Sequence, residues 1–327
     1  MLTHHRRTRW PVWILALLVA LLAACSGGTA SLAPGETPAS APPLSHIAFQ
    51  SDRAGDYDIY VMNSEGSGQT RLTSSGWQDV DPAWSPDGTK IAFTSTRDGN
   101  MQIFQVDVAA EPQTPGDTEL VRITDDPGAD ANPTWSPDAA SLAFVSNRDG
   151  NLEIFVATLA RTLTPPVNLT KHPANDQYPA WSPDQARLLF VSYRDGNNEV
   201  YRMNGDGSAQ INLSNSTAND TSPAWSPDGS QVAFASARDG NFEIYLMTLD
   251  GSGQRRLTNN RADDEFPTWS PDGKQIAFQS DREGTADIYV MNADGSEVRR
   301  LTNDPGEDRH PVWEPQITVT AQPTESG

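Results

Sequence analysis

The sequence predicts an all-β fold, a single six-bladed β-propeller of four-stranded blades, and three observations predict it. Trp84, Trp135, Trp181, Trp225, Trp269 and Trp313 recur at spacings of 51, 46, 44, 44 and 44 residues, and a period near this length with four short apolar runs per unit marks a propeller blade. Each tryptophan has Pro two places before it and Pro two places after it. The pattern also starts and stops out of phase, so that its two ends complete one another.

The tryptophan segment is the first strand of each unit. Five of the six continue as Ser-Pro-Asp, as in Trp84-Ser85-Pro86-Asp87-Gly88; Pro presets φ for a turn and Gly tolerates φ > 0, so this is a hairpin corner. Ile91-Ala92-Phe93 follows and is echoed at residues 47–49, 142–144, 188–190, 232–234 and 276–278, which gives the second strand. A loop of the form Ser, any residue, Arg then leads to an aliphatic-aromatic pair, Ile59-Tyr60, Ile103-Phe104, Ile154-Phe155, Val200-Tyr201, Ile244-Tyr245 or Ile288-Tyr289, the third strand. A turn such as Asn292-Ala293-Asp294-Gly295 and a pair such as Leu301-Thr302 supply a short outer strand. The longer first spacing reflects extra residues around Glu111 to Asp117, an insertion that reaches solvent at little cost.

The phase predicts closure. The pattern enters at His46 with a second strand and ends with His310-Pro311-Val312-Trp313, a first strand. Pairing the C-terminal strand with the N-terminal three over residues 45–315 seals the ring and removes two exposed sheet edges.

Residues 1–24 read as an address label. Arg6, Arg7 and Arg9 precede the apolar run Val12 to Leu22, and Leu22-Ala23-Ala24-Cys25 resembles a bacterial lipobox, which implies cleavage before Cys25 and lipidation of its thiol. Cys25 is the single cysteine, so no internal disulfide contributes to stability. Residues 25–44, rich in Ser, Ala, Pro and Gly, read as a disordered tether, and residues 316–327 as a flexible tail. The net charge is −20, and without the three leader arginines 20 basic residues face 43 acidic ones. So acidic a surface argues against nucleic acid, and against membrane contact other than through the lipid anchor. The expectation is an exported monomer tethered to a bacterial membrane and facing the periplasm or the cell exterior.

The motifs Trp-Ser-Pro-Asp-Gly, Ile-Ala-Phe, Ser-x-Arg and Ile-Tyr-Val-Met-Asn, all within residues 269 to 292, resemble the TolB-type propeller repeat. The resemblance covers residues 45 to 315 and implies six blades, export, and a loop face that binds a peptidoglycan-associated lipoprotein. The α/β domain that precedes the propeller in that family is expected to be missing.

Five residues before each tryptophan stands an acid, Asp79, Asp130, Asp176, Asp220, Asp264 or Asp308, and two residues after each second-strand Ser stands Arg53, Arg97, Arg148, Arg194, Arg238 or Arg282. Both sets fall on one face of the disc. One reading is a carboxylate ring at the channel mouth that captures a divalent cation or a basic partner. The other is one Asp-Arg pair per blade that fixes the loops. Like charges about 8 Å apart at an effective dielectric of 20 repel by roughly 2 kcal/mol, so one cation per carboxylate favours pairing.

Unrepeated positions are the better candidates for partner binding. Three residues before the tryptophans stand Tyr178, Phe266 and His310, Tyr193 lies between a Ser and its Arg, and Trp77 is the one tryptophan after Cys25 outside the repeat. Projecting from the loop face, these five would supply interface anchors. No catalytic constellation, resident metal site or cofactor motif is expected, because the histidines after Cys25 (His46, His172 and His310) lack ligand spacing and no Ser sits in a nucleophile elbow. The sequence thus points to a non-catalytic envelope lipoprotein that binds a protein or a cell-wall fragment. The alternative is a metal-assisted enzyme acting on a polysaccharide, with His172 and His310 beside the acidic ring.

Overall fold

Each tryptophan segment forms the innermost strand of a four-stranded antiparallel sheet, and six such sheets make up the ring in a computed structural model. The structure describes residues 45–108, 120–159 and 164–315. The leader, Cys25, the tether, the tail and the insertion around Glu111 to Asp117 lie outside the described residues.

In chain order the strands are β1 (His46–Ser51), β2 (Asp58–Asn63) and β3 (Thr70–Arg71), then a blade of β4 (Asp79–Trp84), β5 (Lys90–Ser95), β6 (Gln102–Asp107) and β7 (Leu120–Arg122). The next two blades are β8 (Asp130–Trp135), β9 (Ser141–Ser146), β10 (Glu153–Thr158) and β11 (Val167–Asn168), then β12 (Asp176–Trp181), β13 (Arg187–Ser192), β14 (Glu199–Asn204) and β15 (Ile211–Asn212). Two more follow: β16 (Asp220–Trp225), β17 (Gln231–Ser236), β18 (Glu243–Thr248) and β19 (Arg255–Arg256), then β20 (Asp264–Trp269), β21 (Gln275–Ser280), β22 (Asp287–Asn292) and β23 (Arg299–Arg300). The last strand, β24 (Asp308–Trp313), joins β1 in a sheet of order β24-β1-β2-β3. All described elements are strands.

The closure pairs the expected strands, with Ile47 opposite Trp313 and Ser51 opposite Asp308. His46 and Glu314 clasp it at one end. The His46 backbone N–H donates to Glu314 Oε2 at 3.0 Å, and the Glu314 N–H donates to the His46 carbonyl at 2.8 Å.

Packing explains why the second strand reads large-small-large in five blades, with Leu189 in place of the small residue in the sixth. Strands facing a neighbouring blade on each side are buried on both faces, and Ile91, Ala92 and Phe93 are fully buried. Ala48, with Ile59 and Val61, packs against Trp84, Ile91 and Phe93 of the next blade. Across the closing seam Ala277, Ile288 and Val290 meet Ile47, Phe49 and Trp313. The small alanine leaves room for the neighbour's large side chains, so the core is six inter-blade layers, each fully buried Phe contributing roughly 1.5–3 kcal/mol. Three indoles staple blades further, with Trp84, Trp135 and Trp225 Nε1 donating to the carbonyls of Val312, Ala83 and Ala180 in the preceding blade at 3.0–3.2 Å.

Candidate functional site

Every inner strand starts at its Asp and ends at its Trp, so the ring has two chemically different ends. At the starting end the six aspartates are fully buried. In five blades one arginine Nη2 donates to both carboxylate oxygens, Arg97 to Asp79 at 3.0 Å and Arg53 to Asp308 at 2.7 and 2.9 Å for example; Arg238 reaches one oxygen of Asp220 at 3.0 Å. Each arginine also donates from Nε to the Ser two places before it, at 2.6–2.9 Å. Its guanidinium lies 4.5–4.9 Å from the centroid of the aromatic ring on the third strand. Pairing, hydrogen bonding and ring stacking thus engage the guanidinium within its own blade.

A second buried polar set went unnoticed in the sequence. The first residue of the third strand is Asp58, Gln102, Glu153, Glu199, Glu243 or Asp287, all buried. Each accepts a hydrogen bond from the hydroxyl of Thr73, Thr124, Thr170, Ser214, Thr258 or Thr302. That hydroxyl in turn accepts the backbone N–H of the following strand residue at 2.9–3.0 Å. Burial pushes the Asp58 and Asp287 carboxyls up, against the opposing pull of Arg71 and Arg300. The signal was present: a carboxylate or amide precedes every aliphatic-aromatic pair.

Midway along each inner strand the pairing slips in a β-bulge, for example between Val80 and Ala83. The bulge residue, Asp81, Asn132, Tyr178, Ser222, Phe266 or His310, has φ between 50° and 54°, a strained conformation for residues other than glycine. The bulge turns these side chains inward. Tyr178 and Phe266, on blades separated by the β16 blade, meet edge-on with ring centroids 5.7 Å apart, a contact across the channel. Phe266 lies 4.5 Å from the His310 ring, and His310 Nδ1 lies 3.1 Å from Asp81 Oδ1. Thr94 donates to the other Asp81 oxygen at 3.1 Å. The chain of contacts Tyr178, Phe266, His310, Asp81 plugs the channel. Burial, then the nearby Asp81 and Glu265 carboxylates, pushes the Tyr178 hydroxyl up to about 12.

Beyond the plug, toward the tryptophan ends, opens a cavity of about 960 Å³. Its floor includes Asn132, Tyr178, Ser222, Phe266 and His310, and its walls are the six repeat tryptophans and their twelve flanking prolines.

The five aromatic and histidine candidates therefore fall into two groups. Trp77, 50% exposed, precedes β4, and Tyr193, 53% exposed, follows Ser192, which pairs with Asp176; both lie at the starting end, with the Asp-Arg pairs. Tyr178, Phe266 and His310 line the cavity instead of projecting from the loop face, because each stands third in a six-residue inner strand, at the bulge, and not in a loop. His172 is in the loop before β12, where its Nδ1 accepts the Ala174 N–H at 3.1 Å, while His310 belongs to the plug, so the two histidines are not brought together. Among the described residues no group of three His, Cys, Asp or Glu side chains is placed to hold a metal ion.

The family model for the TolB β-propeller domain matches residues 32–119, 116–222 and 207–322. The chain belongs to the TolB β-propeller family. It is 34% identical over 150 residues to a TolB homolog of Chlorobium luteolum, covering 35% of this chain and 34% of that one. It is 28% identical over 147 residues to the Tol-Pal system protein TolB of Bordetella pertussis, covering 33% of this chain and 34% of that protein. The chain thus spans about a third of the length of these TolB relatives. The crystal structure of TolB from Acinetobacter baumannii superposes with a TM-score of 0.72 at 24% identity, over 83% of this chain and 67% of that one, a likeness of fold.

Proposed function

We propose that this protein is a non-catalytic, exported envelope lipoprotein, a TolB-like propeller scaffold that binds an envelope protein or a cell-wall fragment through the face where its inner strands begin. In this reading residues 1–24 direct export, Cys25 carries the lipid, and the tether sets the ring off the membrane into the periplasm or the cell exterior. The setting is supported by relatives named for the Tol-Pal system.

The observation that carries the reading is the exposure of Trp77 and Tyr193 on that face. The repeated Asp and Arg groups are engaged within their blades and serve to fix the loops, which leaves the unrepeated aromatic groups as anchors. The metal-assisted polysaccharide enzyme gains no support from this geometry, since an arginine engages each carboxylate and His172 and His310 stand apart.

Cross-linking in native cells followed by mass spectrometry tests the proposal. The wild-type chain captures one dominant envelope partner, and Trp77→Ala combined with Tyr193→Ala lowers its recovery at least about 10-fold, the loss of a two-anchor hot spot, with unchanged melting. Undiminished capture by the double variant would contradict the assignment of the binding face.

A further inference from the structure

The opposite end of the channel has a chemistry of its own. Side-chain contacts cross the channel at the floor of the cavity, and its volume of about 960 Å³ is at the upper end of the roughly 300–1,000 Å³ that small-molecule sites occupy. Tyr178, Phe266 and His310 are half-buried, and they line the floor together. Tyr178 and Phe266 meet at an interplanar angle of 78°, so the two rings present faces in different directions, the geometry of two walls of an aromatic cage.

Charge points the same way. Asp87, Asp138 and Glu314 line the cavity, and no Lys or Arg does among the described residues. Hydrogen bonds from Ser85 and Ser136 hold the Asp87 and Asp138 carboxyls below the usual carboxylate range, so both stay ionised in the exposed turns at the mouth. Asp81, behind His310 in the plug, adds a further carboxylate. A negative, low-dielectric funnel concentrates cations.

We infer that this cavity binds a small organic ammonium ion, its cationic head held over the Phe266 and Tyr178 rings and its body among the prolines and tryptophans of the walls. The acid-lined mouth draws the ligand in, the rings supply cation-π attraction, and the plug stops it from passing through to the face proposed for the protein partner. The site is independent of that partner, and either assignment can fail while the other stands.

Calorimetric titration of the full chain with choline, and with its neutral isostere 3,3-dimethylbutan-1-ol, tests the inference. Choline binds saturably and at least about 5-fold more tightly than the isostere, the margin expected of a partly desolvated cation-π contact. Phe266→Leu, which keeps an apolar side chain of similar reach, weakens choline binding at least about 3-fold on the same grounds and leaves the isostere unaffected. Asp87→Asn with Asp138→Asn, both in exposed turns, lowers choline affinity and flattens its salt dependence even if the Phe266 variant fails to fold. Equal binding of the two isosteres, no saturable choline binding up to about 50 mM, a range that covers weak sites, or indifference to the Asp87 and Asp138 substitutions overturns the inference.

Discussion

A buried Asp-Arg pair is costly to leave half-made, and each blade contains one. Asp79 is fully buried, and its partner Arg97 also holds Ser95 and lies over Phe104. Arg97→Met keeps the apolar stem and removes the cation, so the destabilisation is about 3–5 kcal/mol at pH 7, the usual result of stranding a buried charge. Urea unfolding at pH 7 checks this: Arg97→Met shows a deficit of that size against wild type, and adding Asp79→Asn removes much of it. The pairing itself was legible in the sequence, because a cation repeats in step with every acid. The polar set under Asp58 and Thr73 is equally periodic, but its members vary between Asp, Glu and Gln and between Thr and Ser, so no single residue type marks it.

Strands and turns separate what the repeat fixes from what it leaves free. The turn between the third and fourth strands packs against the preceding blade. A Cβ on Gly251, at φ 81°, would stand 2.3 Å from the Leu213 carbonyl oxygen. Gly240, at φ 104°, has nothing within 4 Å. Gly251→Ala therefore costs clearly more than Gly240→Ala, which carries only the backbone penalty of about 1 kcal/mol; matched denaturant titrations give the ranking. The inner-strand bulge was the element that sequence reasoning missed. Tyr178, Phe266 and His310 were expected on the loop face, whereas each stands third in a six-residue inner strand, at a bulge of positive φ, and lines the channel. None of the bulge residues is glycine, so composition gave no warning. The signal was the proline that follows each of them, since a proline inside a strand belongs at an edge or a bulge.

At the scale of the molecule, the period and its phase sufficed to foresee six blades and their closure, because both follow from local hydrophobic pattern and the cost of open sheet edges. The division of the channel into a partner face and a plugged cavity did not follow, since it depends on contacts between blades such as that of Tyr178 with Phe266, more than 80 residues apart in sequence. Both functional proposals rest on the ring being sealed by β24 against β1. The most direct measurement compares the melting and radius of gyration of a chain ending at Glu307 with those of one ending at Pro315. Without β24 the shorter chain loses Trp313 from the seam and leaves Arg53 without Asp308, and its Tm falls by about 10 °C or more, as a loss of several kcal/mol implies for a domain of this size, with a larger radius. Identical melting and identical compactness in the two chains would contradict the sealed ring.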